Sequence, residues 1–289
     1  MKRIACRVDH NGGARRANCA QRSRGFSLVE LMIAVLLAIF LIGGLLTLVQ
    51  TMKQTTGVQS GLSQLQDGER FASELLNASI QSAGDYPNAT IGGAAANFPA
   101  INVTVPATGS ILAFAQGQVV SGADTAAPAG SVIGVRYMTS GTAAAYPDGL
   151  ISCAGNTSPT QVTWINVFYV DASGNLQCQL TTIDLAGNQT VTTTPLVYGI
   201  TALGVLYGQR TNTNATTLSV DSYLSATATS ALAAVANSTW QPGWAQVRSV
   251  QVTFTFTNPL ANLSGQAAVP TVNLVRVYDV MTQVGEGQT

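Results

Sequence analysis

Charge is scarce in this chain: 13 Lys and Arg stand against 13 Asp and Glu in 289 residues, 9% in all. Histidine occurs once, at His10, cysteine four times, and no proline lies between Phe26 and Tyr86. Each shortage excludes something. With its one histidine at position 10, the body of the chain has no Ser-His-Asp or Cys-His arrangement and no His-based metal site. Only six basic residues follow position 25, too few to displace counterions from a polynucleotide, so nucleic acid is not an expected ligand. Lys and Glu, which decorate most cytosolic surfaces, are rare; a surface of Thr, Asn, Ser and Gln suits an exported protein. Without proline, no proline-driven kink interrupts residues 27–85.

What is present is apolar and unevenly charged. At 46% hydrophobic the chain is too apolar for disorder, and 289 residues can bury a core in one large domain or two small ones. Lys2, Arg3, Arg7, Arg15, Arg16, Arg22 and Arg24 all lie in the first 25 positions, with Asp9 the sole acid among them. Six basic and twelve acidic residues remain after that. The cysteines divide likewise, Cys6 and Cys19 before position 25 and Cys153 and Cys178 far beyond it. If the basic segment is removed, one pair remains. It suits a single disulfide formed in an oxidising compartment, or two cysteines buried as small hydrophobes.

The segment 26–49 reads FSLVELMIAVLLAIFLIGGLLTLV. Residues 31–49 carry no charge, and as a helix they span about 28 Å, close to the hydrocarbon thickness of a bilayer. Basic residues just before it keep 1–25 cytoplasmic and send the rest across. A secretory signal peptide would have a shorter apolar core and a small-x-small cleavage site, and neither is found. A plain signal anchor explains the length but not Glu30. A carboxylate five residues into such a helix is costly and marks function; the plainer alternative is solvation at headgroup level.

Residues 50–83 turn amphipathic, with Val58, Leu62, Leu65, Leu75, Leu76 and Ile80 at mostly helical spacing. Gly57, Gly61 and Gly68 each weaken that helix by about 1 kcal/mol relative to Ala. After Pro87 short β-branched and aromatic runs replace it: 101–105, 111–115, 132–138, 162–170, 176–183, 196–207, 218–223, 247–256 and 272–280, separated by Gly, Pro, Asn, Asp and Ser. Residues 162–180 predict a β-hairpin around Asp171-Ala172-Ser173-Gly174-Asn175. The alanine runs 94–96, 126–129 and 231–236 are expected as loops or short helix. The predicted class is α+β, a long amino-terminal α-helix packed on a mainly antiparallel β-sheet domain.

Chemistry is sparse. Asp124, Asp148, Asp171, Asp184, Asp221 and Asp279 are scattered among turn residues, where aspartate serves the backbone. Asn212, Asn214 and Asp221 offer oxygen ligands for calcium without EF-hand spacing. Trp164, Trp240 and Trp244 suit core or interface anchors. No enzyme, metal or cofactor is expected.

Arg24-Gly25-Phe26-Ser27-Leu28-Val29-Glu30-Leu31 resembles the type IV prepilin motif. The resemblance implies that prepilin peptidase cuts after Gly25, that Phe26 becomes an N-methylated amino terminus, and that Glu30 serves assembly. The leader is longer than is usual in that family. Residues 62–84 are similar to the post-membrane helix of PilW-type minor pilins, keeping Ser82-Ala83-Gly84 of an Arg-Met-Ala-Gly ending. Residues 132–137 (VIGVRY) resemble that family's Leu-x-Val-Arg-Tyr strand, and 199–208, 220–223 and 244–250 follow the order of its carboxy-terminal half. The implied organisation is a leader at 1–25, a transmembrane and assembly helix at 26–49, an amphipathic periplasmic helix at 50–84 and a β-rich domain at 85–289. The implied protein is a minor pilin that primes assembly or sits at the pilus tip and supports twitching motility and adhesion. Its implied partners are other minor and major pilins, prepilin peptidase and the inner-membrane assembly platform. Its implied place is the inner membrane with a periplasmic carboxy-terminal domain, then the fibre or cell surface. A type II secretion pseudopilin shares the leader motif, and a membrane-anchored binding module that never polymerises is the reading from a different class.

Overall fold

The unbroken apolar-to-amphipathic stretch folds as one helix, α1 (Leu28–Gln81), 54 residues long in a computed structural model of the chain. The structure describes residues 25–87, 93–125, 130–145, 147–209, 220–232, 243–261 and 269–281. Two units are distinguished, 1–57 and 58–289. In the first, the side chains of residues 28–49 are all exposed. Where polarity returns, Thr51 and Thr55 donate their hydroxyls to the carbonyls of Thr47 and Thr51, both at 2.9 Å. Such back-bonding lets a hydroxyl satisfy itself on its own helix.

In the second unit α1 buries a face that mixes small and large residues. Ala72, Leu76 and Ile80 are fully covered, and Ala83 just beyond the helix is too. Gly61 and Gly68 lie on the same face, so their role is not merely to weaken the helix. A β-carbon on Gly61 would stand 2.8 Å from Cβ of Pro259, and one on Gly68 2.9 Å from Cγ1 of Val197. Glycine there permits a close approach that alanine would obstruct.

After a short helix α2 (Ala94–Asn97), β1 (Ile101–Val105) and β2 (Ser110–Phe114) form a two-stranded hairpin. Next come β3 (Val120–Asp124), β4 (Ser131–Thr139), β5 (Val162–Val170), β6 (Asn175–Asp184) and β7 (Gln189–Tyr198), an antiparallel sheet in that order. The rest comprises β8 (Ile200–Gln209), β9 (Ser222–Leu224), α3 (Ala226–Ala231), a 3-10 turn at Trp244–Gln246, β10 (Val247–Thr257) and β11 (Thr271–Asp279). Its strands make a second antiparallel sheet, β11-β10-β8-β9. The architecture is α+β, as the residue pattern predicts. The predicted 162–180 hairpin is β5 and β6, closed as the Asp171 amide donates to the Asn175 carbonyl and the Asn175 amide to Asp171 Oδ1.

Both faces of the five-stranded sheet are covered. On one, Val135, Tyr137, Trp164 and Phe168 share a core with α1 and with Val250, Val252 and Phe254 of β10. On the other, Val103, Val105, Leu112 and Phe114 of the β1–β2 hairpin close over Val132, Ile165, Val167 and Tyr169. This explains why β4 and β5 read as continuous apolar runs rather than alternating ones.

One predicted element is corrected. Residues 196–207 are not a single strand, because Gly199 at φ 80° turns the chain out of the first sheet and into the second. The amides of Gly199 and Ile200 both donate to the Gly174 carbonyl, at 2.9 and 3.1 Å, and fix the crossing. β3 and the first half of β7 were not foreseen. Of the alanine runs, 94–96 is α2, 126–129 and 233–236 lie outside the described residues, and Ala231 ends α3.

Candidate processing and assembly segment

Gly25 and Phe26 directly precede α1. A β-carbon on Gly25 would meet nothing within 4 Å, and Phe26 is 80% exposed. The helix opens with the Leu31 amide donating to the Ser27 carbonyl at 3.1 Å. Glu30 sits exposed in its first turn, where a carboxylate complements the unsatisfied N–H groups by about 0.3–1 kcal/mol. Gly25 and Phe26 are thus uncovered among the described residues, and the only acidic residue between Gly25 and Asp67 stands one turn beyond them.

Beyond Glu30 the helix is long and apolar enough to cross a membrane, and it is the one such helix among the described residues. Its apolar side chains through Val49 have no cover among the described residues: Leu37 is 59% exposed, Ile39 64% and Phe40 76%. An apolar surface of that extent calls for lipid or other helices around it. Residues 1–24, with His10, Cys6 and Cys19, lie outside the described residues.

Cys153 and Cys178 are joined by a disulfide, their Cα atoms 6.1 Å apart and 25 residues apart in sequence. This decides between the two readings of the pair. Both are buried, and the Cys153 amide donates to Asn166 Oδ1 at 2.8 Å, so the loop between β4 and β5 is fastened to the sheet beneath it.

The carboxylates are spent on backbone. Asp124 accepts from the amides of Ala226 and Thr227 at the start of α3, at 3.3 and 2.8 Å. Burial tends to raise its pKa, but these bonds with those of Thr227 and Ser225 hydroxyls prevail and lower it. Asp148 holds Thr139, Ser140 and Leu150. Asp171 and Asp184 close turns. Trp164 is buried beside Tyr137, and Trp244 stacks edge-on against Tyr207 at 4.7 Å. Trp240, Asn212 and Asn214 lie outside the described residues.

A clasp between α1 and the edge strand β11 was missed. Glu69 accepts from Arg276 at 2.7 Å and Ser73 Oγ from the Tyr278 hydroxyl at 2.9 Å. Four residues of helix rise about 6 Å and two of strand about 6.8 Å, so the matched spacing was the available signal.

The profile of the family described as Type IV Pilus-assembly protein W matches residues 167–278. That of the prokaryotic N-terminal methylation motif matches residues 20–46. No curated protein matches the chain. The amino-terminal match takes in Gly25, Phe26 and Glu30, and the other runs from β5 to β11. The chain is type IV prepilin-like and PilW-type, a pilus-related protein anchored through an apolar helix.

Proposed function

Starting from a PilW-type prepilin-like chain, we propose that it is a minor pilin, cut after Gly25 and N-methylated at Phe26. It primes pilus assembly or sits at the tip, and twitching motility and adhesion depend on it. The observation that carries this reading is Glu30, an exposed carboxylate in the first turn of a helix whose apolar surface through Val49 has no cover among the described residues. In hydrocarbon an ionised carboxylate needs a positive partner. Cleavage creates one, the α-amine of Phe26, and an offset of one turn, about 5.4 Å, brings it beside Glu30 of a neighbour. Apolar helix faces then leave lipid by packing on other helices.

The partners in this reading are other minor and major pilins, prepilin peptidase and the inner-membrane assembly platform. The carboxy-terminal unit is periplasmic before it reaches the fibre. Amino-terminal sequencing of the protein from cells with prepilin peptidase should begin at methylated Phe26. Retention of residues 1–25 there overturns the reading in favour of an anchored module. Glu30→Ala should leave cleavage intact and remove the chain from sheared fibres. Loss of enzyme secretion rather than of surface pili on deletion would instead make it a secretion pseudopilin.

A further inference from the structure

Between Gly25 and Asp67 the chain carries two charges of opposite sign, Glu30 and Lys53. The 22 residues that separate them are uncharged, and both side chains are exposed on α1. Lys53 is the only lysine beyond position 2. Other cations of the chain are spent within it. Arg70 pairs with Glu74 and Arg276 with Glu69, at 3.0 and 2.7 Å, and Arg136 is held by carbonyls. Lys53 makes no ion pair among the described residues. The nearest acids along its helix, Asp67 and Glu30, are 14 and 23 residues off, about 21 and 34 Å. One turn to either side stand Val49, Gln50, Thr56 and Gly57, with no carboxylate among them.

Depth selects the missing partner. The hydrocarbon of a bilayer is about 30 Å thick, and the whole about 40–45 Å, so each headgroup layer is about 5–7 Å deep. A carboxylate is least costly at a hydrocarbon boundary. With Glu30 at one boundary, Lys53 lies about 34 Å along the axis, about 4 Å past the other boundary and within the headgroup layer. A tilt of about 20° shortens the span to about 32 Å and keeps it there. The spacing is fixed, because α1 runs unbroken through both residues. The anion found at that depth is the lipid phosphate. A lysine stem lies along apolar surface while its ammonium reaches out to such a group. The neighbouring residues suit a boundary too: Thr51 and Thr55 bond their hydroxyls to helix carbonyls and need no partner from lipid or water.

We infer that Lys53 binds a phospholipid phosphate in the leaflet away from the amino terminus and, with Glu30 at the opposite boundary, sets the depth of α1. Without the ammonium, the 36 residues of 31–66 would be uncharged, and no charge would hold the helix against sliding. The inference rests on α1 crossing a bilayer and not on cleavage after Gly25, so its failure leaves the preceding reading standing.

The test is solid-state NMR on the full chain in vesicles of phosphatidylethanolamine and phosphatidylglycerol. Lys2→Arg makes Lys53 the sole lysine, its Nζ is isotope-labelled, and the buffer is free of phosphate, so lipid alone supplies phosphorus. A charge-assisted bond of about 2.8 Å from nitrogen to oxygen puts phosphorus about 4 Å from Nζ. Strong dephasing of the Nζ signal by phosphorus is expected. Its absence, or dephasing by labelled Asp and Glu carboxylate carbons in its place, overturns the inference; the second result would mean an ion pair with protein. Depth is read separately, from Thr55→Cys in a chain with Cys6→Ser and Cys19→Ser, while Cys153 and Cys178 stay bonded and buried. A membrane-impermeant maleimide is supplied on both sides of the vesicles. Lys53→Leu should slow labelling several-fold as that turn sinks toward the hydrocarbon, and Lys53→Arg should leave the rate as it is. Equal rates in the three chains would end the depth-setting role.

Discussion

The Tyr207 hydroxyl lies against the α-carbon of Gly122, so close that a β-carbon there would stand 2.7 Å from Cζ of the ring and nearer still to the oxygen. Tyr207 is fully buried, and its hydroxyl has no hydrogen-bond partner among the described residues. Burial, with Asp124 nearby, holds its pKa above the usual tyrosine value. Gly122→Ala should therefore destabilise the protein by about 1–3 kcal/mol through overpacking. Tyr207→Phe removes an unpaired buried oxygen, and should be neutral or stabilising by up to about 1 kcal/mol. The two changes share one contact, so they should couple: in the phenylalanine background, Gly122→Ala should cost less. Denaturant unfolding of the four chains of the cycle measures this, and additive costs would refute it.

Arg136 presents a different problem, a buried guanidinium held by carbonyls alone. It donates to the carbonyls of Pro99 and Ala115 at 2.6 and 2.7 Å and also to Gln118, with the rings of Phe98 and Phe114 about it. Burial lowers its pKa to about 10. The depressed value means that burying the charge costs stability at neutral pH, a cost relieved only as pH climbs through about 10. The hydrogen bonds offset it, and they tie the chain on either side of the β1–β2 hairpin to β4. Arg136→Ala leaves those carbonyls unpaired at about 1–3 kcal/mol each. Arg136→Lys keeps the charge without the planar fork and should recover only part of the loss. Thermal unfolding of the two variants should rank alanine below lysine and lysine below the parent.

How far these features could be read from residues alone differs by element. The span of α1 was legible because 19 uncharged positions run into an amphipathic repeat with no proline. Its packing face was legible through Leu76 and Ile80, which are buried, and Val58, Leu62, Leu65 and Leu75, which are partly so, whereas Gly61, Gly68, Ala72 and Ser79 are small and escape a count of large apolar residues. β3 was missed because Ser121 and Gly122 interrupt its pattern, and Gly122 is there for Tyr207. The first half of β7 was missed because an edge strand with Thr190, Thr192 and Thr193 exposed has no apolar alternation to show. The crossing at Gly199 was hidden inside one long β-branched run, since nothing local distinguishes a bend between sheets from a continuing strand. At the candidate site, Gly25, Phe26 and Glu30 were legible as a linear pattern. The partners of Glu69 and Ser73 were not, being more than 200 residues away in sequence.

Asp148 sets an acid limit on one loop. It takes the Thr139 hydroxyl and the amides of Ser140 and Leu150, at 2.8, 2.6 and 3.1 Å. Burial tends to raise its pKa; these donors prevail and lower it. A carboxylate with a depressed folded-state pKa contributes stability that is complete above its unfolded value, about 3.9, and is lost as pH falls through the folded value. Asp85 nearby has a pKa raised, by burial first and by Asp148 as well, so its contribution has the opposite sign. Protection of the Ser140 and Leu150 amides, taken as exchange relative to the intrinsic rate at each pH, should be strong at neutral pH and be lost only as pH falls below about 3.9. In Asp148→Asn it should be weak at every pH. Unchanged protection in that variant would show that other contacts hold the loop.

The Cys153–Cys178 bond closes 25 residues between the 139–160 loop and β6. In the chain-entropy account such a crosslink stabilises by about 3 kcal/mol, which in a unit of this size corresponds to about 6–12 °C in Tm. Both cysteines are at most 1% exposed, so a reductant has no path to the sulfurs while the sheet is intact. Reduction should therefore follow unfolding. Thiol labelling with reductant present should be negligible at neutral pH in buffer and rise at the denaturant concentration where the fold is lost. Cys153→Ser with Cys178→Ser should melt earlier by the stated amount yet keep the same sheets by circular dichroism, because Phe168, Trp164 and Tyr137 still fill the core around the site. Rapid labelling of the folded parent would mean that the loop opens on its own, and the fastening role assigned to Asn166 would then fail with it.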